Sequence, residues 1–247
     1  MFLLRHDRVV VLAGLFTVIV LAWLYLLFGA GIEMEEMDMG GGQMMLMSPP
    51  WTVSYAVLIF FMWAIMMMAM MLPSVTPAIL LAIALLRGKG TSILLPIGLF
   101  VTGYLVTWFG FSLGATFLQW GLDQAGFLSA NMSIGGVIAG LLLIAAGLYQ
   151  WSPFKQACLV QCRSPSEHLV RYWRQGPMIA GARHGLFCLG CCWMLMALLF
   201  VGGLMNILWI AGLALFVLFE KVLPVGPRFC RVSGIALMAS GAFVLLR

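Results

Sequence analysis

The stretch Trp51–Leu72, with its core Met62-Trp63-Ala64-Ile65-Met66-Met67-Met68-Ala69-Met70-Met71-Leu72 followed by Pro73, decides the fold. It carries no charged side chain. As a helix rising about 1.5 Å per residue it matches the roughly 30 Å hydrocarbon core of a bilayer. Similar apolar runs cover Val9–Ala30, Ile93–Gln119, Asn131–Tyr149, His184–Val201 and Leu204–Phe219, and a last one follows Arg228 and Arg231 and ends at Leu246. The chain is 64% hydrophobic and 9% charged, against roughly a quarter charged in soluble domains. These features predict an all-α, polytopic membrane helical bundle of about seven transmembrane helices. Residues 1–247 form a single membrane domain, without an internal repeat or a large soluble unit. Pro73 and Pro77 are expected to end or bend the second helix, which continues over Val75–Leu86.

Charge sets the expected orientation. Arg5 and Arg8, then Arg87 and Lys89, then Lys155, Arg163, Arg171, Arg174 and Arg183, and finally Lys221, Arg228 and Arg231 fall on one side of a seven-span bundle. The positive-inside rule makes that side cytoplasmic, with the N-terminus in and the C-terminus out of a bacterial inner membrane. The loop 31–51 has Glu33, Glu35, Glu36 and Asp38, no Lys or Arg, and many methionines, so it is expected to be a periplasmic loop. The first run exceeds a signal h-region and is read as an uncleaved helix. The net charge of +5 arises from this one-sided bias and does not point to nucleic acid.

Residues 151–183 form the expected cytoplasmic loop. Ser164, Pro165 and Glu167 read as an N-cap, first position and capping box of an interfacial helix. Leu169, Val170, Tyr172 and Trp173 oppose Arg171 and Arg174 on it, which suits a helix on anionic membrane lipid. The pairs Gly110/Gly114 and Gly136/Gly140 have the small-xxx-small spacing that permits close helix approach.

The chemistry gathers in the fifth run, Arg183-His184-Gly185-Leu186-Phe187-Cys188-Leu189-Gly190-Cys191-Cys192-Trp193-Met194-Leu195-Met196. Half of the six cysteines fall within five residues. On a helix, His184, Cys188, Cys192 and Met196 form one stripe, with Cys191 beside it. Cys158 and Cys162 are spaced to share a face just before this run. In a reducing compartment, clustered thiols mean metal or redox exchange rather than structural disulfides. Two or three thiolates suit Cu(I), and four suit Zn(II) or an iron–sulfur cluster. The methionine row Met62, Met66 and Met70, with Met67 and Met71 beside it, favours copper over zinc or iron–sulfur. The plainer reading is that these sulfurs are adaptable core packing.

Absences narrow the function. There is no phosphate-binding glycine loop, His-Glu-x-x-His or nucleophile elbow. The eight Asp and Glu residues are all expected outside the spans, which disfavours a proton-driven pump. The preferred function is a Cu(I)-binding chaperone or metallation factor rather than an enzyme. The alternatives are a membrane thiol oxidoreductase, resting on the Cys188-x-x-Cys191 dithiol, and a structural or assembly subunit of a membrane redox complex.

Several motifs resemble a bacterial family of predicted metal-binding integral membrane proteins. They are Met62–Pro73, Tyr149–Lys155 with Cys158 and Cys162, Cys188–Met196, and Val201–Lys221 with Met205-Asn206 and Glu220-Lys221. One member is similar to a copper chaperone serving a bacterial tyrosinase. The resemblance implies copper handling for a client cuproenzyme or membrane enzyme complex. It implies Cys158, Cys162, Cys188, Cys191 and Cys192 as ligands, with the methionine row as secondary contacts.

Overall fold

The structure is a computed structural model that describes residues 2–29, 35–38, 44–47, 50–86, 93–129, 132–223 and 226–246. The described residues form ten helices: α1 (Phe2–Leu27), α2 (Val53–Leu86), α3 (Leu94–Gln124), α4 (Gly136–Gln150), α5 (Pro153–Arg163), α6 (Ser166–Trp173), α7 (Pro177–Ala197), α8 (Leu199–Gly202), α9 (Ile207–Val222) and α10 (Gly226–Leu245). A two-stranded antiparallel hairpin, β1 (Glu35–Asp38) and β2 (Met44–Met47), pairs Glu35 with Met47 and Asp38 with Met44 inside the acidic, methionine-rich stretch. Gly40–Gly42 of that stretch and the expected basic turn at Arg87–Gly90 lie outside the described residues.

Among the described residues, five helical segments are long and apolar enough to cross a membrane: Arg8–Leu27, Val53–Leu86, Leu94–Gln124, Pro177–Gly202 and Arg228–Leu245. A sixth arises if α4 and α5, bent by 64° where they meet, count together. The sixth expected span, α9, has 16 residues, about 24 Å of helix, short of the roughly 30 Å of hydrocarbon. The bundle's exterior is apolar: Leu95, Phe117, Val137, Leu208 and Val232 are exposed.

Proline does not end α2. Pro73 and Pro77 both lie inside it, and Ser74 and Thr76 hydroxyls donate to the Met71 and Leu72 carbonyls. The helix therefore runs on, as the sequence allowed. The turn after α4 is built by Ser152, whose hydroxyl accepts from Phe154 N, with Pro153 in the first turn of α5. This cap-and-proline pair starts a new helix in a new direction. The expected capping box at Ser164 is not formed. Ser164 N bonds to Val160 O and closes α5, and α6 begins two residues later without a side-chain cap. Helix α6 packs on α7, burying His168 and Leu169 while Val170 and Arg171 face outward. At the other end, Asn206 accepts from Trp209 N to cap α9, and Trp209 Nε1 donates to Leu198 O at the end of α7.

Two glycine seams draw the helices together. Of the spacings read from sequence, only Gly140 lies in a seam; Gly110, Gly114 and Gly136 face open space. The working pairs are seven apart: Gly140 and Gly147 on α4 meet Gly241 and Gly234 on α10, where a Cβ on Gly147 or Gly241 would fall 2.6 Å from the facing carbonyl. A seven-residue repeat keeps both glycines on one face over two turns. The second seam sets Gly103 of α3 against Met178 O, and Gly181 and Gly185 of α7 against Phe100 and Thr107. It fixes α7, the cysteine-bearing helix, tightly on α3.

The seam predicts a contrast. Gly241→Val has backbone and the Ile144 side chain in its way, so it should destabilise the bundle by about 1–3 kcal/mol. Gly110→Ala has free space and should not. Thermal unfolding of both variants in detergent tests this; equal midpoints would remove the seam from the account of the fold.

Candidate metal centre

Sulfur atoms from two helices converge beneath a buried amine. Cys191 Sγ on α7 lies 3.9 Å from Cys162 Sγ on α5, and Cys162 also interacts with Cys188. Cys158 lies against the same helix at Gly190, where a Cβ would fall 2.7 Å from its sulfur. Gly190 thus lets α5 approach, and the Tyr149 hydroxyl from α4 donates to its carbonyl at 2.5 Å. Both thiol groups expected from sequence therefore meet. All six cysteines are free thiols.

The sulfurs are organised differently from the expected stripe. Cys191 and Cys192 Sγ both donate to the Cys188 carbonyl, at 3.0 and 2.9 Å. Cys188 Sγ instead meets Lys221 Nζ of α9 at 2.9 Å and the Tyr104 hydroxyl of α3 at 3.0 Å. Lys221 Nζ also reaches Ser74 Oγ at 3.2 Å and Met71 Sδ at 3.9 Å on α2. A buried ammonium requires an anionic partner. Of the thiol, hydroxyl and thioether around it, the thiol of Cys188 is the group that ionises most readily, and Lys221 Nζ and Cys188 Sγ stand at the separation of an ammonium–thiolate pair.

Beside this pair lies a second one. Lys155 Nζ on α5 donates to Glu220 Oε2 at 2.8 Å, with both side chains essentially inaccessible. Cys230 Sγ of α10 donates to the other carboxylate oxygen at 3.4 Å. Sequence reading had Lys155 as a loop charge and every acid outside the spans. Glu220 is 1% exposed, so an argument from a missing buried carboxylate does not hold. The 64° bend carries Lys155 inward and supplies the counter-charge.

The remaining candidates divide. His184 Nδ1 meets His168 Nε2 at 3.2 Å with stacked rings. His168 also borders a surface cavity of about 240 Å³ with Glu167 and Arg171, and burial pushes its imidazole below the ordinary histidine value. Met62, Met66 and Met70 are buried in α2. Met70 lines an apolar cavity with Trp23 and Leu218, and Met196 lines another with Trp63 and Phe200. Met71, one residue past the expected row, is the methionine that reaches the Lys221 centre. Sequence reasoning missed Lys155, Lys221, Tyr104, Ser74 and His168 as site residues. The Glu220-Lys221 dipeptide inside an apolar run was the available signal.

Among the described residues, no three His, Cys, Asp or Glu side chains are already arranged around one point to hold an ion. The Cys162–Cys191 separation is nevertheless that of a shared ligand pair. With metal–thiolate bonds of about 2.3 Å, two sulfurs stand about 3.8 Å apart at the tetrahedral angle and about 4.0 Å at the trigonal one.

The fold and site define a helical-bundle protein with a buried cluster of free thiols. Residues 60–244 match the family PpoB2, described as a copper chaperone, and the chain belongs to that family. No curated protein and no solved structure matches it.

The buried ion pair yields a test of the site's scaffold. Lys155→Met leaves the Glu220 carboxylate uncompensated and should cost about 3–5 kcal/mol, while Lys155→Met/Glu220→Met should recover most of that loss. Thermal unfolding of both variants decides, and a double variant as unstable as the single one would show that the pair is not what holds α5 on α9.

Proposed function

We propose that this protein is an inner-membrane Cu(I) chaperone whose cargo is held by Cys162, Cys191 and Cys188, with Cys158 and Cys192 adjoining, and is passed to a client cuproenzyme. The observation that carries this reading is the 3.9 Å approach of thiols from α5 and α7, in a chain of a copper chaperone family. Thiolates bind monovalent copper strongly, and the buried, water-poor setting favours a soft ion that is weakly hydrated. His184, paired with His168, lies one turn from Cys188 toward the cavity beside α6. Met62, Met66, Met70 and Met196 serve as weaker, adaptable thioether contacts along the bundle.

Membrane placement follows from the same physics. The apolar exterior has no aqueous counterpart, and helices satisfy their own backbone groups in lipid. In this reading α1, α2, α3, α4 with α5, α7 with α8, α9 and α10 are the seven spans, the short α9 relying on its buried position. The N-terminus and the 151–183 segment face the cytoplasm. The 31–51 segment and the C-terminus face the periplasm, where the client accepts copper. The thiol centre then lies toward the cytoplasmic end of α7, where reduced thiols persist.

The dithiol-oxidoreductase alternative rested on Cys188 and Cys191 facing each other. Cys188 Sγ contacts Lys221 Nζ, and Cys191 Sγ lies 3.9 Å from Cys162 Sγ of α5.

Protein purified in detergent without chelator should carry stoichiometric copper by elemental analysis. Cys162→Ser/Cys191→Ser should lose nearly all of it, and undiminished copper in that variant rejects the site. This pair is preferable to Cys188→Ser, which would strand Lys221 and confound folding with binding.

Orientation is tested separately. Reporter fusions that are active only in the periplasm should work after the C-terminus and within 39–43, and fail when inserted near Ser164. Activity at Ser164 would invert the topology.

A further inference from the structure

We propose that Lys221 selects the charge of the ion, making the thiol centre a site for a monovalent rather than a divalent cation. This rests on the copper-chaperone reading and specifies what that site discriminates.

The inference comes from the fixed charges around the sulfurs. On α5 and α9, Lys155 and Glu220 cancel at 2.8 Å. From α2 and α3 come Met71, Ser74 and Tyr104, all uncharged groups. On α6 and α7, His168 and His184 meet nitrogen to nitrogen at 3.2 Å; one of those nitrogens must accept, so the pair is not doubly charged. Arg163, at the end of α5, turns to the Leu223 carbonyl, so the Lys221 ammonium, 2.9 Å from Cys188 Sγ, is the cationic group in direct contact with the sulfurs and counts there as one positive charge.

In a buried site the total charge dominates the energetics, because uncompensated charge is strongly penalised at low dielectric. Neutrality with Lys221 present requires one thiolate more than the charge of the ion. A monovalent ion needs two thiolates, the number that soft monovalent copper accepts readily. Two of the three thiols give up their protons, the third stays a protonated, neutral contact, two sulfur–metal bonds form, and no electron moves. A divalent ion on the same two thiolates leaves a net positive charge, and it must recruit a third thiolate to neutralise it. Without the ammonium the order reverses: two thiolates neutralise a divalent ion and leave a monovalent complex negative.

The experiment uses full-length protein in detergent micelles under reducing conditions. Cu(I) affinity is measured against a chromophoric Cu(I) chelator. Zn(II) affinity is measured by competition, and Co(II), as a spectroscopic probe, reports thiolate coordination by its charge-transfer absorption. Lys221→Met and Lys221→Gln remove the charge, the latter keeping a hydrogen-bond donor for Cys188, while Lys221→Arg keeps the charge. The ratio of Cu(I) to Zn(II) affinity should fall at least about tenfold, on the order of a hundredfold at most, in the Met and Gln variants. It should stay near wild type in the Arg variant. If the Met variant does not fold, the Gln variant gives the same reading. An unchanged ratio in the neutral variants, or an equal fall in the Arg variant, overturns the selectivity role while leaving copper binding intact. Wild-type protein that binds no Cu(I), or a Cys162→Ser/Cys191→Ser variant that binds it equally well, overturns the chaperone reading itself.

Discussion

Two adjacent charges, Glu220 and Lys221, are buried near the end of an otherwise apolar helix, and the organisation of the centre follows from how they are neutralised. Neighbours on a helix point about 100° apart, so the two side chains cannot share a partner. Glu220 reaches Lys155 on α5 and Lys221 reaches Cys188 on α7. One dipeptide of α9 therefore holds both thiol-bearing helices, and each contact matters because leaving a charge unpaired in that interior is costly. The sulfur separation of 3.9 Å is a consequence of this double attachment together with the glycine at position 190 that admits α5.

Close backbone approach does the rest. The α3–α7 seam at Gly103, Gly181 and Gly185 removes the side-chain layer that would hold α7 off its neighbour, which lets Tyr104 reach Cys188 from α3. On the opposite side, α4 and α10 meet through paired glycines. Trp151 Nε1 donates to Arg231 O at 3.2 Å, pinning the bend from which α5 departs. Rigid packing positions the thiols, while the thioethers of buried methionines supply adaptable packing along α2.

Much of this was legible in the chain. Apolar run length identified the helices to within a few residues at most boundaries, because hydropathy reports burial in either core or lipid. The cysteine stripe on α7 and the shared face of Cys158 and Cys162 followed from helical spacing. What could not be read was where charge goes inward. Lys155 sits in a hydrophilic stretch rich in arginine and looks like any cytoplasmic loop lysine; only the bend after α4 turns it into the bundle. Glu220 and Lys221 at a helix end look like a membrane border for the same reason. It is Met71, from the neighbouring row, that reaches the amine, and spacing could not single it out, since a run of five methionines in six positions presents a sulfur on every face.

Burying ions in a bundle is seldom a route to stability, because well-packed apolar residues of similar volume do as well or better. Two adjacent buried charges in a chain of this composition therefore need another physical reason. Lys155 and Glu220 neutralise one another and serve to fix α5. Lys221 has no carboxylate at hydrogen-bond distance among the described residues, and its neutralising partner is a sulfur that also stands next to the other thiols. In the proposed reading, a cation placed among thiols adds to the charge that a bound metal ion brings and favours the thiolate form of the sulfur it touches. The chemistry of the centre is thus set by the ammonium as much as by the sulfurs, which is why cysteine spacing by itself was an incomplete description of the site.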